Sequence, residues 1–319
     1  MSWISAHLFH AGPPDTLVER VVAPLVAELD GELDGFFFLH YWEGGPHLRL
    51  RVKPVDGACA GRIRDLIEGR AVAYFAGHPS VRGFRTGQYQ ELAARYARAE
   101  DLTGYDERLH PNDAVEFIAY VPEHRAYGED ACIAAVEEHF TDSSRLALGL
   151  LATRPDRGRR AAAGLAALTL TVAACLPDER VLASRLRAGI RFPPDVEQAF
   201  QRDRDRLLRQ ARRLWGMSRE AEPAGGMPDA GEPTGGMPAA WAASLRTLRD
   251  RLTELHAVPS DVATPAGSLA RLLRPEAAAV PYILLRCSHL LNNRLGIIPA
   301  AEERLILLTL RVMAALDES

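Results

Sequence analysis

The side chains best suited to moving a proton while holding an anion lie in two segments far apart in the chain. The first, His47 to Val52, alternates strictly between polar and apolar residues. In a β-strand this alternation places His47, Arg49 and Arg51 on one face. Two guanidiniums at adjacent positions of a strand face form a carboxylate-sized receptor, because each can bind both oxygens of a carboxylate. We expect an exposed face that binds an anion and whose charges contribute little to stability.

The second segment is a predicted helix near the end of the chain, whose apolar body is interrupted by Arg286, His289 and Asn293. These residues are spaced three and four positions apart, so they form one polar stripe along the helix. An imidazole changes its charge near neutral pH and is suited to general acid–base catalysis. Taken alone, each pattern also has an ordinary structural explanation: a solvated sheet face for the strand, and a hydrogen-bonded core histidine for the helix.

The elements that must position these residues are predicted from periodicity. Apolar alternation indicates strands, and a period of about 3.6 residues indicates helices. The segment from Glu43 to Pro46 is short and rich in glycine, so the strands that flank it are predicted to form a hairpin. The predicted elements are a strand from Trp3 to His10, a helix from Asp15 to Glu28, strands from Gly35 to Tyr41 and from His47 to Lys53, a helix from Gly61 to Ala76, and a strand from Val115 to Tyr120.

From Glu129 onward the apolar periodicity is helical, and Ser144 is predicted to cap the start of a new helix. The whole chain, residues 1–319, is predicted to be a single α+β domain, in which a mostly antiparallel N-terminal sheet with a hairpin packs against a larger, mainly helical layer. The predicted helices run from Asp130 to Phe140, Ser144 to Arg154, Arg159 to Leu176, Asp195 to Trp215, Trp241 to His256, Ser268 to Leu273, through the segment around His289, and from Ala300 to Leu316.

Residues 217–240 differ from the helical sequence around them. The segment from Glu222 to Pro228 is nearly repeated from Glu232 to Pro238, and both copies are rich in glycine and proline. Glycine and proline at this density do not support a helix or a strand, and the segment has little apolar surface with which to become ordered. We predict a flexible surface insertion between two helices.

The composition limits the kinds of partner and compartment. A formal net charge of −4 provides no overall positive field, so we expect no direct nucleic-acid binding. The N-terminus lacks the features of a signal peptide, and the most apolar run, Ala161 to Leu176, is shorter than the roughly 20 residues that cross a bilayer. We therefore predict a cytoplasmic protein without membrane contact. The four scattered cysteines form no CxxC pair, so we expect no metal and no disulfide framework. The sequence also has no glycine-rich phosphate-binding or dinucleotide-binding motif, and we expect no cofactor.

Three motifs that follow one another along the chain carry a resemblance to a known family. They are the segment from Gly45 to Arg51 after the aromatic run that ends at Trp42, the segment from Tyr120 to Gly128, and the helical segment from His289 to Arg294. The pattern resembles the C-terminal domains of lantibiotic dehydratases, a family also called thiopeptide-type bacteriocin biosynthesis proteins. The resemblance extends from Trp3 to about Leu308 and so covers nearly the whole chain.

The resemblance implies an enzyme that tailors ribosomally synthesised, post-translationally modified peptides. Such enzymes eliminate glutamate from glutamylated serine or threonine and leave dehydroalanine or dehydrobutyrine. Elimination needs a base for the Cα proton and a cationic site for the departing glutamate. By resemblance, Arg49 and Arg51 match the paired strand arginines of the family, and His289 matches the histidine that exchanges the proton. We expect further substrate contacts from His47, Arg125, Arg286, Asn293 and Arg294.

One departure from the family pattern leaves the reaction open. The family motif has an arginine and a second glycine where this chain has Ala126 and Glu129, and Arg125 lies one residue early. Either the local backbone compensates for this shift, or the site lacks one guanidinium. Besides glutamate elimination, two alternatives remain. The first is the formal (4+2) cycloaddition by which thiopeptide relatives join two dehydroalanines into a pyridine ring. The second is a non-catalytic subunit that binds the leader peptide.

The resemblance also implies partners. We expect a precursor peptide that consists of a leader and a Ser/Thr-rich core, and a separate subunit that glutamylates it from glutamyl-tRNA, because the chain has no long N-terminal glutamylation domain. A homodimer is compatible with these roles. We expect His289 to be neutral near pH 7 and to line a pocket against the strand of Arg49 and Arg51.

Overall fold

The computed structural model describes residues 2–99, 104–176, 182–183, 186, 190–219, 236–255 and 279–316. The chain divides into two compact units, Met1–Pro122 and Glu123–Ser319. The first contains a four-stranded sheet and the second consists of helices, so the predicted α+β class is confirmed. The prediction of one domain over residues 1–319 stays a prediction.

The sheet of the first unit has the strand order β2-β3-β1-β4, and every neighbouring pair is antiparallel. The predicted hairpin is confirmed, because β2 pairs with β3 across the glycine-rich turn. The predicted fourth strand is shorter than expected and ends at Phe117 instead of Tyr120. The strands are β1 Ile4–Phe9, β2 Leu33–Tyr41, β3 His47–Pro54 and β4 Ala114–Phe117.

The alternation in β3 separates two faces as predicted. Leu48, Leu50 and Val52 are at most 1% exposed and belong to the apolar core of the first unit. The alternate residues of the strand form the opposite face, which carries the arginines. The apolar face therefore fixes the register of the polar face, because a shift by one residue would exchange the two sets.

In the described part of the first unit, three longer helical segments and a short 3-10 turn, Gly57–Cys59, accompany the sheet. The first, α1, is formed by Pro14–Leu17, a π-helical turn Val18–Val22 and Ala23–Glu28. Pro24 cannot donate a backbone hydrogen bond, and its ring would crowd the carbonyl of Arg20, so a widened turn before it relieves both problems. The helix α2, Ala60–Gly77, was predicted within one residue at each end. The helix α3, Thr86–Ala99, was not predicted.

The second unit is helical throughout its described elements. They are α4 His124–Tyr127, α5 Asp130–Ala152, α6 Arg157–Cys175, α7 Pro194–Arg219, α8 Gly236–Glu254, α9 Val280–Arg294 and α10 Pro299–Ala314. Its core packs α6, α7 and α10 together around residues that include Leu168, Trp215 and Met313. In the described part of the chain, no helix is long and apolar enough to cross a membrane.

Two sequence predictions in the second unit were wrong. The helix α5 runs without a break through Ser143 and Ser144, which are both 0% exposed, so Ser144 is not a helix cap. Burial in the helix interior overrides the capping preference of serine here. The predicted insertion at 217–240 is too long at both ends, because α7 continues to Arg219 and α8 begins at Gly236. Residues 220–235 and the predicted helix from Ser268 to Leu273 lie outside the described residues.

Candidate functional site

The polar face of β3 continues onto its two neighbours in the sheet. In the antiparallel register, Arg49 lies between His7 of β1 and Leu39 of β2. Arg51 lies between Ser5 and Phe37 in the same way. Side chains that are directly opposite in a sheet lie on the same face, so three strands share this surface. The structure therefore brings His47, Arg49 and Arg51 together, as the alternation predicted.

The guanidinium of Arg49 is held by three neighbours. Its Nη2 donates to Oε2 of Glu43 at 2.9 Å, and its Nε donates to Nε2 of His47 at 3.3 Å. Its central carbon lies 3.5 Å from the centre of the Tyr41 ring, which is close enough for a cation–π interaction. The positive charge of Arg49 is thus already paired with a carboxylate from its own hairpin.

Arg51 is buried, with 7% exposure. Its guanidinium lies 4.5 Å from the ring centre of Tyr120 and 5.3 Å from that of Phe37. Both rings also contact Trp3, so the guanidinium rests against an aromatic cluster. The expectation of an exposed strand charge is therefore wrong for Arg51, because aromatic side chains of the first unit pack against it.

His47 and His7 are buried bases beside these arginines. Burial is the main cause that lowers the pKa of His47 to about 3, and the hydrogen bond to the carbonyl oxygen of Gly45 partly opposes this shift. Burial is also the main cause for His7, and the interaction with His47 is the next largest, so the pKa of His7 is lowered to about 2. Arg49 also lowers both pKa values. Nδ1 of His47 donates to the carbonyl oxygen of Gly45 at 2.8 Å, which leaves Nε2 as the acceptor for Arg49. His47 thus supports Arg49 as a neutral acceptor.

A hydrogen-bonded turn positions Glu43 at the tip of the hairpin. Gly44 and Gly45 have φ angles of 79° and 112°, which favour glycine. The hydroxyl of Tyr89 accepts from Gly44 N at 2.6 Å and donates to the carbonyl of Asp106 at 2.5 Å. The backbone N–H of Asp106 in turn donates to Oε1 of Glu43 at 2.9 Å. One carboxylate oxygen of Glu43 is therefore anchored by this loop, while the other holds the guanidinium described above.

In the second unit, His289 lies on α9 and faces Glu302 of α10. Nδ1 of His289 and Oε2 of Glu302 are 2.7 Å apart. The His289 side chain is 56% exposed and that of Glu302 is 7% exposed. The imidazole is not packed among leucines, and its partner is a carboxylate that the sequence did not reveal. Its predicted position against the strand arginines stays a prediction.

The predicted polar stripe on α9 agrees with the burial of that helix. Arg286 and Asn293 are partly exposed, whereas Leu284, Leu285 and Leu291 are buried. The stripe therefore presents the residues predicted to contact substrate on the less buried side of the helix.

Arg294 lies away from the stripe and is 0% exposed. Its Nη1 donates to Oγ of Ser143 at 3.0 Å, and its guanidinium lies 5.3 Å from the ring centre of Phe140. Both partners belong to α5, so Arg294 joins two helices of the second unit. This arrangement favours a structural role for Arg294 over the substrate contact that the sequence predicted, and that contact stays a prediction.

The short helix α4 shows how the chain accommodates the departure from the family motif. Ala126 and Tyr127 are 7% and 3% exposed, whereas Arg125 is exposed. Burial is also the main cause that raises the pKa of Tyr127 well above its usual value. Because adjacent helical positions point about 100° apart, Arg125 does not occupy the direction taken by the side chain at position 126. The exposed side chain of Arg125 therefore points away from the buried direction that Ala126 takes.

Several side chains near the predicted residues were missed by sequence reasoning. Glu43, His7 and Tyr41 join the strand residues through turn geometry and sheet register, which the motif alone does not specify. Glu302 had a weak signal, since it is an acidic residue in the first turn of a mostly apolar helix. Among the described residues, no group of three or more His, Cys, Asp or Glu could hold a metal ion. Burial raises the pKa values of Cys175 and Cys287 to about 12, so both remain thiols at neutral pH.

Comparison with known proteins relates this fold to peptide-modifying enzymes. The sequence model of the family described as "Lantibiotic biosynthesis dehydratase C-term" matches residues 3–313. No curated protein matches the chain.

Among solved structures, the chain is similar to TbtD, a pyridine synthase from thiomuracin biosynthesis, with a TM-score of 0.70, 19% identity and 98% of each chain covered. TsrL has a TM-score of 0.64 and 19% identity, with 99% of this chain and 95% of TsrL covered. MibB, a tRNA-dependent lantibiotic dehydratase from Microbispora sp. 107891, has a TM-score of 0.57 and 20% identity. That match covers 98% of this chain but 28% of MibB. At these identities the similarity establishes the fold.

Proposed function

We propose, from the premise that this chain belongs to the lantibiotic dehydratase C-terminal family, that it is a peptide-tailoring enzyme that forms a pyridine ring. The reaction is a formal (4+2) cycloaddition between two dehydroalanines of a ribosomally made peptide, followed by release of the leader peptide. The observation that carries this choice is the incomplete receptor for a departing glutamate. The similarity to a pyridine synthase over 98% of both chains agrees with it.

Elimination releases a glutamate with two carboxylates, so it needs cationic groups that are available to bind them. The arginine of the family motif is replaced by the buried Ala126, and Arg125 does not take its place. The charge of Arg49 is already paired with Glu43 at 2.9 Å. A departing glutamate would have to displace that carboxylate, which belongs to the same hairpin and is anchored by a second hydrogen bond. These features weaken the elimination site and support a reaction without an anionic leaving group.

Cycloaddition requires proton transfers but no anion receptor. The diene forms when the amide proton of one dehydroalanine moves from nitrogen to the carbonyl oxygen. Ring closure then makes two carbon–carbon bonds, and the ring becomes aromatic by losing water and the leader peptide as an amide. Formation of the diene and the losses of water and of the leader each move a proton, whereas ring closure does not. A histidine that is more than half exposed beside a buried carboxylate is suited to such transfers. We assign this role to His289.

Glutamate elimination is the second candidate, and a specific observation favours it. Arg49 and Arg51 are on one strand face, and the histidine of the family motif is present with a carboxylate partner. If Glu43 moves away when substrate binds, the two guanidiniums could receive one carboxylate of the departing glutamate. In this case the missing arginine at position 126 would reduce the rate but would not abolish the reaction.

For either reaction the proposed partner is a precursor peptide with a leader and a Ser/Thr-rich core. Pyridine formation consumes dehydroalanines, so separate glutamylating and eliminating subunits must supply them. We propose that the protein works with these subunits in the cytoplasm.

Mass spectrometry on two peptide substrates tests the proposal. One peptide carries a leader and two dehydroalanines, and the other carries a leader and glutamylated serines. Release of the leader from the first peptide, with the mass loss of ring formation, supports cycloaddition. Loss of glutamate from the second, with the first unchanged, overturns it in favour of elimination. Binding of the leader without any mass change overturns both and supports a non-catalytic subunit.

A further inference from the structure

Glu302 connects two side chains of the helix next to it. Its Oε2 lies 2.7 Å from Nδ1 of His289, and its Oε1 accepts a hydrogen bond from Nδ2 of Asn292 at 3.0 Å. Glu302 and Asn292 are buried, at 6% and 0% exposure, whereas the imidazole is more than half exposed. The buried carboxylate of Glu302 thus contacts one ring nitrogen of the exposed His289.

We propose that Glu302 is a positioning residue that determines which nitrogen of His289 carries the proton. A carboxylate accepts hydrogen bonds and cannot donate them, so it keeps the proton on Nδ1 and gives the lone pair to Nε2. The inference rests on the proposed function only in taking His289 as the proton-transfer group. The inference adds that Nε2 is the nitrogen of His289 that can accept a proton.

The surroundings of Glu302 hold its carboxylate in place. It lies in the first turn of α10, where the helix dipole stabilises a negative charge. Its two oxygens each have a donor on α9, so the buried charge is hydrogen-bonded on both sides. These contacts give the carboxylate a fixed orientation towards the imidazole.

Asn292 is the second side chain that contacts the Glu302 carboxylate. Because Glu302 only accepts, the asparagine must present its amide nitrogen to it. The amide oxygen of Asn292 points towards Gly164 of α6, where a Cβ atom would come within 2.7 Å of it. In the parent protein the asparagine is therefore a donor to Glu302, with its Oδ1 on the Gly164 side. A residue that replaces Glu302 meets this donor as long as the asparagine keeps its orientation.

This constraint makes Glu302→Gln an informative variant. A glutamine has one carbonyl oxygen, and when Asn292 keeps its orientation that oxygen accepts from it, so the glutamine NH2 group faces His289. That group donates and would turn Nδ1 into an acceptor, which moves the ring proton to Nε2. The predicted outcome is a reversed tautomer in a protein of almost unchanged shape, because the substitution preserves side-chain volume.

The experiment is nitrogen NMR of protein labelled in its histidines, with the His289 signals assigned by their loss in His289→Asn. Spectra are compared at a pH where the titration of these signals shows the ring to be neutral. The parent protein should show a protonated Nδ1, and Glu302→Gln should show a protonated Nε2. The matched control, Glu303→Gln, makes the same change one residue along the helix and should keep the parent tautomer.

A second variant tests whether Asn292 causes the reversal. In Glu302→Gln combined with Asn292→Ala, the glutamine no longer has to present its oxygen to the asparagine. The amide can then turn its oxygen to His289, so the double variant should regain the Nδ1-protonated form. A simple loss of packing would instead make the double variant worse than either single change.

Turnover of the peptide with two dehydroalanines provides the kinetic readout. Glu302→Gln should lower kcat about 10- to 100-fold, the usual effect of removing a group that orients another, with KM unchanged. The double variant should recover part of the loss. A parent protein protonated on Nε2, or a Glu302→Gln variant with the parent tautomer, would overturn the inference. Because the NMR result does not depend on the reaction, failure of the proposed function would be seen separately, as a correct tautomer without turnover.

Discussion

The imidazole rings of His7 and His47 are stacked, with 4.8 Å between their centres and 18° between their planes, on the sheet face that carries Arg49 and Arg51. Phe9 also packs against His47, with 4.4 Å between the ring centres and 38° between the planes. Two buried imidazoles beside two guanidiniums are stable together only as neutral bases, and burial is the main cause that lowers both pKa values. This face therefore contains groups whose protonation would oppose folding.

The first prediction concerns stability in acid. The pKa of His47 is about 3 in the folded protein and about 6.5 in an unfolded chain, so the unfolded state binds more protons between these values. The free energy of unfolding should therefore fall as the pH decreases from about 6.5, by up to about 1.4 kcal/mol per pH unit for this group. Denaturant titrations at pH 7 and pH 5 should show a smaller decrease for His47→Phe than for the parent. The exposed His78 provides the control, and the free energy of unfolding of His78→Phe should decrease between pH 7 and pH 5 as much as that of the parent. An equal decrease in all three proteins would contradict the role of His47.

The second prediction concerns Arg51, whose burial changes the expectation for stability. Its guanidinium interacts with the rings of Tyr120 and Phe37, and interactions of this kind contribute about 0.5–2 kcal/mol. Arg51→Ala should lower the free energy of unfolding by about that amount or more, and Arg51→Lys should lower it less, as measured by urea denaturation. Arg64 lies 4.0 Å from the ring centre of Phe117 but is exposed, so Arg64→Ala should cost much less. Equal costs at the two positions would show that burial does not matter here.

The third prediction tests whether Glu43 blocks the anion receptor. Glu43→Gln keeps an acceptor for the backbone N–H of Asp106 but removes the negative charge beside Arg49. Calorimetry should show free glutamate binding about tenfold more tightly to this variant than to the parent, because a charge-assisted hydrogen bond becomes available. The exposed Glu107 is the matched control, and Glu107→Gln should not change the affinity. Unchanged binding in Glu43→Gln would mean that the pairing with Glu43 does not limit access to Arg49.

The sheet shows how far local pattern determines this fold. Alternation in β1 and β3, together with the apolar run of β2, was sufficient to predict these strands and the hairpin, and the buried face of β3 fixes its register. The partners of Arg49 could not be predicted in the same way. His7 reaches it through pairing with a strand about 40 residues earlier, and Glu43 reaches it through a turn whose geometry depends on Tyr89 and Asp106.

The second, helical unit shows what local sequence pattern does not determine. Helical periodicity was visible throughout, but the position of Ser144 depends on what surrounds it in three dimensions. A serine is favoured at a helix start in isolation, whereas here the helix continues and the neighbouring Ser143 binds the buried Arg294. Glu302 was missed for a related reason: its importance comes from a contact between two helices, which neither helix reveals alone.

The fourth prediction separates a structural arginine from the polar stripe. Arg294 is fully buried and donates to Ser143, so Arg294→Met should lower the free energy of unfolding by about 2–4 kcal/mol, since it leaves a buried group without its partner and removes packing around Phe140. Arg286 is only partly buried, and Arg286→Met should cost clearly less while weakening binding of the precursor peptide. Thermal denaturation and peptide-binding titrations measure the two effects. A stable Arg294→Met protein that fails to bind peptide would show that Arg294 contacts the substrate.

The last prediction concerns His289 itself. Its side chain is more than half exposed, so His289→Asn and His289→Phe should unfold at nearly the parent temperature and bind the precursor peptide with parent affinity. Turnover should fall by about 10²–10⁴-fold, the usual contribution of a general acid or base. The second unit offers a control, because Nδ1 of His124 lies 3.1 Å from Oε2 of Glu129 in a histidine–carboxylate pair whose carboxylate is 67% exposed. His124→Asn should therefore keep full turnover. If both variants lose activity equally, or if neither does, His289 is not the proton-transfer group, and the polar stripe on α9 serves only to bind peptide.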